Sequence, residues 1–132
     1  MKKALFLSLG LLAFLPACAP RATVQSHPIL VEDTLYLGTR TPHGPITSSQ
    51  WSAFLSDEVT PRFPDGLTVW DAKGQWKDVK GKIDKEPTKV LLLVHPDNPT
   101  EDQAIQAIID IYKKKFDQES VMKVRGRENV SF

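Results

Sequence analysis

The chain opens with two lysines, Lys2 and Lys3, followed over residues 4–15 by an uncharged run, ALFLSLGLLAFL, and then by Pro16-Ala17-Cys18. A cationic start, a short apolar middle and a small residue before a cut are the three parts of a secretory signal. The run is too short to span a bilayer, which takes roughly 17–25 residues. A buried core helix is a poor alternative, since the run is apolar on every face and ends in proline. From residue 31 onward the pattern changes. VEDTLYLG, residues 31–38, alternates: Val31, Leu35 and Leu37 share one face and Tyr36 takes the other, which predicts a strand. Pro42, Gly44 and Pro45 mark residues 39–45 as a loop. Thr47-Ser48-Ser49-Gln50 fits a capping box, and Trp51, Phe54, Leu55 and Val59 follow at helical spacing until Pro61 and Pro64 end the helix.

Asp65-Gly66 reads as a turn, LTVW at residues 67–70 as a strand, and Lys73-Gly74 as a hairpin turn into Gln75-Trp76-Lys77. KVLLLVH follows at residues 89–95, with residues 90–94 apolar at every position, the mark of a central strand covered on both faces. Thr100-Glu101-Asp102-Gln103 offers a second capping box. Behind it Ile105, Ile108, Ile109, Tyr112 and Phe116 form an amphipathic stripe. SVMKV at residues 120–124 supplies the last strand, with residues 129–132 as a further candidate. The order is β-α-β-β-α-β, an α+β class of ferredoxin-like type: a four-stranded antiparallel sheet, two helices on one face, the first and third strands central. One face of that sheet has no helices. A central strand apolar on both faces, near Tyr36 or Trp70, then leaves greasy surface open, which marks a partner or ligand site.

Cys18 is the only cysteine, so it has no internal disulfide partner. Leu15-Pro16-Ala17-Cys18 resembles the lipobox of bacterial lipoproteins, in which the cysteine is acylated and becomes the first residue of the mature chain. Residues 19–26 read as a flexible tether, and Ala19 resembles outer-membrane sorting in a two-membrane bacterium. Buried acyl chains contribute about 0.8 kcal/mol per CH₂, and stable anchoring takes more than one chain. The expected organisation is a signal over residues 1–17, a lipidated cysteine and tether over 18–30, and one domain over 31–132. The expected location is the cell envelope, facing the periplasm or the exterior.

The chain carries 17 Lys+Arg and 16 Asp+Glu; Lys2 and Lys3 leave with the signal, so the mature balance is 15 against 16. That balance argues against nucleic acid as a partner. The one dense basic run, Lys113-Lys114-Lys115, ends a predicted helix, where cations complement the dipole.

Residues 33–38 (DTLYLG), Trp51 with Phe54, residues 59–69 (VTPRFPDGLTV) and Gly74-Gln75-Trp76 resemble a family of small secreted bacterial proteins, many with lipoprotein signals, grouped as a domain of unknown function. The resemblance covers residues 31–132, and TPRFPDGLTV is its most specific part. It implies the compartment and the single domain. It implies no activity and no functional residues.

Candidate chemistry is sparse. Arg62, between two prolines, is placed to clamp a carboxylate or phosphate; an ordinary ion pair with Glu58 or Asp65 is the plainer reading. His95 with Asp97 is a candidate acid–base pair, against a plain loop role. Tyr36 and Trp70 can stack on a ligand if both face the open side. No His-x-His, HExxH or Cys/His spacing points to a metal, and no phosphate-cradling glycine loop or G-x-S-x-G elbow is present. Glu58 and Glu86 have no partner visible in the sequence. No cofactor is expected. Arg62, Tyr36, Trp70 and His95 are thus the candidate ligand or partner contacts. The expected function is a lipid-anchored envelope module that binds a partner protein or a small molecule, with a homodimer through the open face as one form of partner. The alternative is a small cofactor-free enzyme of the dimeric α+β barrel kind, in which Arg62, Tyr36 and His95 meet in one cavity.

Overall fold

The structure, a computed structural model, describes residues 29–77, 80–127 and 129–130. The signal, Cys18 and most of the tether lie outside them. Strand β1 (Leu30–Gly38) leads into two short strands, β2 (Arg40–Thr41) and β3 (Gly44–Pro45), then helix α1 (Ser48–Phe54). Strands β4 (Thr68–Lys77) and β5 (Ile83–Pro96), helix α2 (Pro99–Phe116) and strand β6 (Met122–Arg127) complete the order. The main sheet runs β4-β5-β1-β6, antiparallel throughout, so the strands expected at its centre are at its centre. The fold is the α+β, ferredoxin-like arrangement expected from the sequence.

Local chemistry explains most element boundaries. Thr47 caps α1 with the full capping box: its Oγ1 accepts from the Gln50 N–H, and Gln50 Oε1 accepts from the Thr47 N–H at 2.9 Å. The helix then widens into a π turn over Leu55–Val59, where the Thr60 N–H reaches back to the Leu55 carbonyl at 2.8 Å. Val59, at the end of that turn, and Phe63 beyond it both face the core. At α2 the expected cap, Thr100, gives way to Asn98. Its Oδ1 accepts from the Thr100 and Glu101 N–H groups at 3.0 Å each, with Pro99 in the first helical position where a missing N–H costs nothing. Asp117 ends α2 in the left-handed conformation, φ 50°.

The core lies between the helices and the inner face of the sheet. Phe54 and Tyr112 stack edge to face at 5.1 Å, and Phe116 packs on Tyr112 at 4.9 Å. Ile105, Ile108, Leu35, Leu37, Leu91 and Leu93 close around them, each fully buried. Each such side chain contributes about 1.5–3 kcal/mol of burial. Among the described residues no helix is long and apolar enough to cross a membrane.

Three sequence expectations need correcting. Lys73-Gly74 is no turn: β4 runs unbroken from Thr68 to Lys77, and Gly74 sits opposite Glu86. Residues 39–45 form a small hairpin, β2 with β3, rather than an open loop. The last strand begins at Met122 and runs on through Arg125 to Arg127.

Candidate functional site

Cross-strand neighbours share a face, and the register assigns every even-numbered strand position to the side without helices. Trp70, Val90, Tyr36 and Met122 therefore form one continuous row across all four strands. Thr68, Leu92, Thr34 and Val124 form the next. Val90 is buried between its ring-bearing neighbours, whereas Trp70 is 44% exposed and Met122 56%. Leu92 is half-buried and Val94 exposed, so β5 is covered on its outer face only by cross-strand side chains, not by a second layer. Among the described residues no lysine or arginine stands on this face of the strands. Its charged positions are all acidic: Glu32, Asp84 and Glu86.

The face is recessed at both ends, at the first by a cavity of about 550 Å³ bordered by Leu30, Thr68, Leu92 and Val94. At the other end a cavity of about 320 Å³ is lined by Tyr36, Trp76, Glu86, Thr88, Gln118 and Met122. Two glycines make room for it. A methyl group on Gly38 would stand 2.7 Å from Glu86 Oε1, and one on Gly74 would stand 2.8 Å from Thr88 Oγ1. Glu86 Oε1 accepts the Arg40 backbone N–H at 2.7 Å. The Arg40 guanidinium goes elsewhere, to Asp84 at 3.1 Å and to the Lys85 carbonyl. That contact with Arg40 holds the exposed Asp84 carboxyl below its ordinary pKa. Beneath the recess, the buried Tyr112 hydroxyl donates to the Gly38 carbonyl at 2.8 Å. Burial pushes the Tyr112 pKa well up, and the Glu86 charge adds to the rise.

The helix side of the sheet carries the opposite arrangement, a closed ion cluster. Asp33, fully buried, accepts a bidentate pair from Arg125: Nε at 2.8 Å and one terminal nitrogen at 2.6 Å. The same nitrogen reaches Asp102 at 2.5 Å, while Arg127 pairs with Asp97 at 3.2 Å. His95 Nε2 lies 3.1 Å from Asp33 Oδ2 and its Nδ1 2.9 Å from the Pro96 carbonyl, with the Phe63 ring at 5.4 Å. Both partners of the ring are acceptors, so the neutral imidazole can donate to only one of them. Burial works to raise the Asp33 pKa, but the hydrogen bonds from Arg125 and His95 outweigh it and hold it below the usual value. The Arg125 guanidinium is correspondingly held more firmly protonated, first by Asp33 and then by Asp102.

The four candidate residues from the sequence separate into two pairs. Tyr36 and Trp70 stand together on the open face, in one row. Arg62 and His95 line a small cavity of about 220 Å³ at the other side of the β5 end, with Phe63 and Glu101. Arg62 pairs with Glu58 at 3.2 Å, the plainer of its two readings. His95 pairs with Asp33, not Asp97, because Asp97 lies beyond the strand and turns to Arg125 and Arg127. The meeting of Arg62, Tyr36 and His95 in one cavity does not occur, because Tyr36 is on the opposite face of the sheet. Cys18 lies outside the described residues. Two residues went unnoticed in the sequence, Asp33 and Arg125, and Glu86 was noted only as a carboxylate without a partner. Asp33 alone left a signal, a carboxylate in the apolar stripe of Val31, Leu35 and Leu37. Among the described residues no group of His, Cys, Asp and Glu side chains is arranged to hold a metal ion.

Several solved structures share this architecture. A phage SAM lyase in complex with S-methyl-5'-thioadenosine superimposes with a TM-score of 0.59 at 12% identity, over 81% of this chain and 88% of that one. The same kind of lyase in its apo state gives 0.56 at 13% identity, over 74% and 79%. CutA from Synechococcus elongatus gives 0.51 at 7% identity, over 77% and 79%. At these identities the likeness is one of fold. Among curated proteins nothing matches the chain. The family model described as "Protein of unknown function (DUF3574)" matches residues 32–132, and the chain belongs to that family.

Proposed function

We propose that this protein is a lipid-anchored component of the cell envelope, held by acyl chains on Cys18, whose domain binds a small molecule on the open face of its sheet. The observation that carries the binding reading is the row of Trp70, Val90, Tyr36 and Met122, contiguous apolar surface with a recess at its edge. Such patches mark interaction sites, and recesses of about 300 Å³ and upward hold small molecules. A second copy of the chain fits this face less well. Two such faces packed together bring carboxylates against carboxylates with no basic strand position to meet them. The phage lyase of the same fold takes S-methyl-5'-thioadenosine, so this architecture accommodates a small molecule in at least one protein. The enzyme alternative needed Arg62, Tyr36 and His95 together, and the sheet stands between them.

Two experiments test this reading. For the anchor, cells fed a tagged palmitate should label the wild-type chain and not Cys18→Ser, and the substituted chain should leave the membrane fraction. Equal labelling of both would refute it. For the binding face, the full chain in a non-ionic detergent is screened by thermal shift against a metabolite library. A ligand that binds only the native state raises Tm by mass action. The expected result is a stabiliser whose effect disappears in Trp70→Ala. A stabiliser indifferent to Trp70→Ala and Tyr36→Ala, a dimer by light scattering that hides the face, or no stabiliser at all would each count against it.

A further inference from the structure

The recess at the edge of the open face contains more than apolar surface. Glu86 lines it together with Tyr36, Trp76 and Met122. Its carboxylate accepts one backbone N–H, from Arg40, and no lysine or arginine side chain among the described residues pairs with it. Arg40, whose backbone meets the carboxylate, has its guanidinium engaged by Asp84 and the Lys85 carbonyl. The neighbouring strands are shaped around this one group. Gly38 stands where any side chain would collide with the Glu86 carboxylate, and Gly74 where a side chain would press on Thr88. The Tyr112 hydroxyl fixes the Gly38 carbonyl from below, and Gln118 is held by the Arg40 and Phe116 carbonyls at 2.7 and 3.1 Å. A carboxylate that shares its recess with two aromatic side chains and a thioether is matched by one ligand chemistry, an organic cation. Ring faces attract a cation within about 6 Å, and the carboxylate accepts its charge-assisted hydrogen bonds.

We propose that the recess around Glu86 is a subsite for the ammonium end of a small organic cation, whose apolar remainder lies along Met122 and the Trp70–Tyr36 row. The proposal rests on the reading of the open face as a binding surface. It adds the charge of the ligand and the residue that selects it. Glu86 is the selecting residue, Tyr36 and Trp76 are the walls, and Gly38 and Gly74 are the positions that keep the recess open.

The test uses the full chain in a non-ionic detergent, with calorimetry and Trp fluorescence as readouts. The probes are tyramine, choline and putrescine, each paired with an uncharged analogue of the same shape (the alcohol for the amine, dimethylbutanol for choline). At least one ammonium probe is expected to bind about tenfold or more tightly than its uncharged analogue, the size of one charge-assisted hydrogen bond. Glu86→Gln keeps an acceptor for the Arg40 N–H and so keeps the fold, checked by an unchanged Tm. It should abolish the preference, whereas Asp110→Asn on the exposed side of α2 removes the same charge and should leave it intact. Equal binding of charged and uncharged probes would overturn the cation subsite and leave the binding face standing. A preference that survives Glu86→Gln would overturn the role of Glu86. If no ammonium probe binds, the subsite is refuted, and the library screen described above decides separately whether the face binds anything else.

Discussion

Replacing Arg125 with methionine should cost this domain far more than an exposed arginine normally does. The substitution keeps the aliphatic stem and removes the guanidinium fork, leaving Asp33, fully buried, with His95 as its remaining side-chain partner. Breaking a buried ion pair by deleting one partner costs about 3–5 kcal/mol. Arg125 is 27% exposed, so water can enter where the fork was, and the expected cost falls to about 2–4 kcal/mol. For a domain of this size that is a drop in Tm on the order of 10–20 °C. Asp33→Leu alone should cost less, about 1–3 kcal/mol, because Arg125 keeps Asp102 and solvent while only His95 Nε2 loses its acceptor. The double variant should then be more stable than the sum of the single losses implies, by about 2 kcal/mol, since neither charge is left buried alone. Urea unfolding of the four chains at neutral pH measures this directly. If Arg125→Met costs under about 1 kcal/mol and the two losses add to within about 0.5 kcal/mol, Asp33 and Arg125 are not energetically coupled and the cluster is only a coincidence of geometry.

Three further outcomes follow from the same contacts. Because the folded-state Asp33 pKa lies below 3.8, its contribution is fully present above that value and is lost as pH falls further through the folded-state pKa; acid titration of stability should therefore be shallower between pH 3.8 and the acid limit in the Asp33→Leu/Arg125→Met chain than in wild type. Tyr112→Phe removes the donor to the Gly38 carbonyl without changing the ring packing, and should cost about 1–2 kcal/mol by urea unfolding. Asn98→Ala deletes the acceptor for two N–H groups at the start of α2, and should cost about 1 kcal/mol with a matching loss of helicity by circular dichroism.

Elements held together by near neighbours were readable from the chain, and those held by distant ones were not. The α2 stripe from Ile105 to Phe116 and the Thr47 capping box depend on residues a turn away, so spacing alone reveals them. The placing of Tyr36 and Trp70 on the open face follows from strict alternation beside Leu35, Leu37 and Val69. Gly74 was misread as a turn because glycine in a strand usually signals one. Here its missing side chain serves Thr88 and Glu86, which lie on the next strand. Asn98 was overlooked as a cap because Thr100 offered the same chemistry nearer the apolar stripe. Asp33 finds Arg125 across 92 residues and His95 across 62, which no local pattern can encode. Glu86 looked partnerless in the sequence and pairs with no cation among the described residues, and that persistence is what makes it informative.

The two faces of the sheet depend on each other through register. Asp33 lies directly opposite Arg125, and the cluster ties β1, β5, β6 and α2 at one end of the domain. Lys123, Arg125 and Arg127 occupy the odd positions of β6 and face the helices, which leaves Met122, Val124 and Gly126 to the open side. A slip of one residue between β1 and β6 would exchange the two sets. Three cations would then enter a face whose strand positions carry only carboxylates as charges, and any of them could neutralise the acid that a ligand's ammonium would otherwise meet. β6 is an edge strand held by one neighbour, so it is the strand for which such a slip costs least in backbone hydrogen bonds. A bidentate arginine that fits its carboxylate in one register only is a device against that error. On this argument Arg125 acts on the open face, the proposed binding surface, without touching it. Substituting it should disturb the charge preference of the recess as well as the stability of the fold, whereas an equally destabilising core substitution such as Phe54→Ala should lower stability and leave that preference in the folded fraction unchanged.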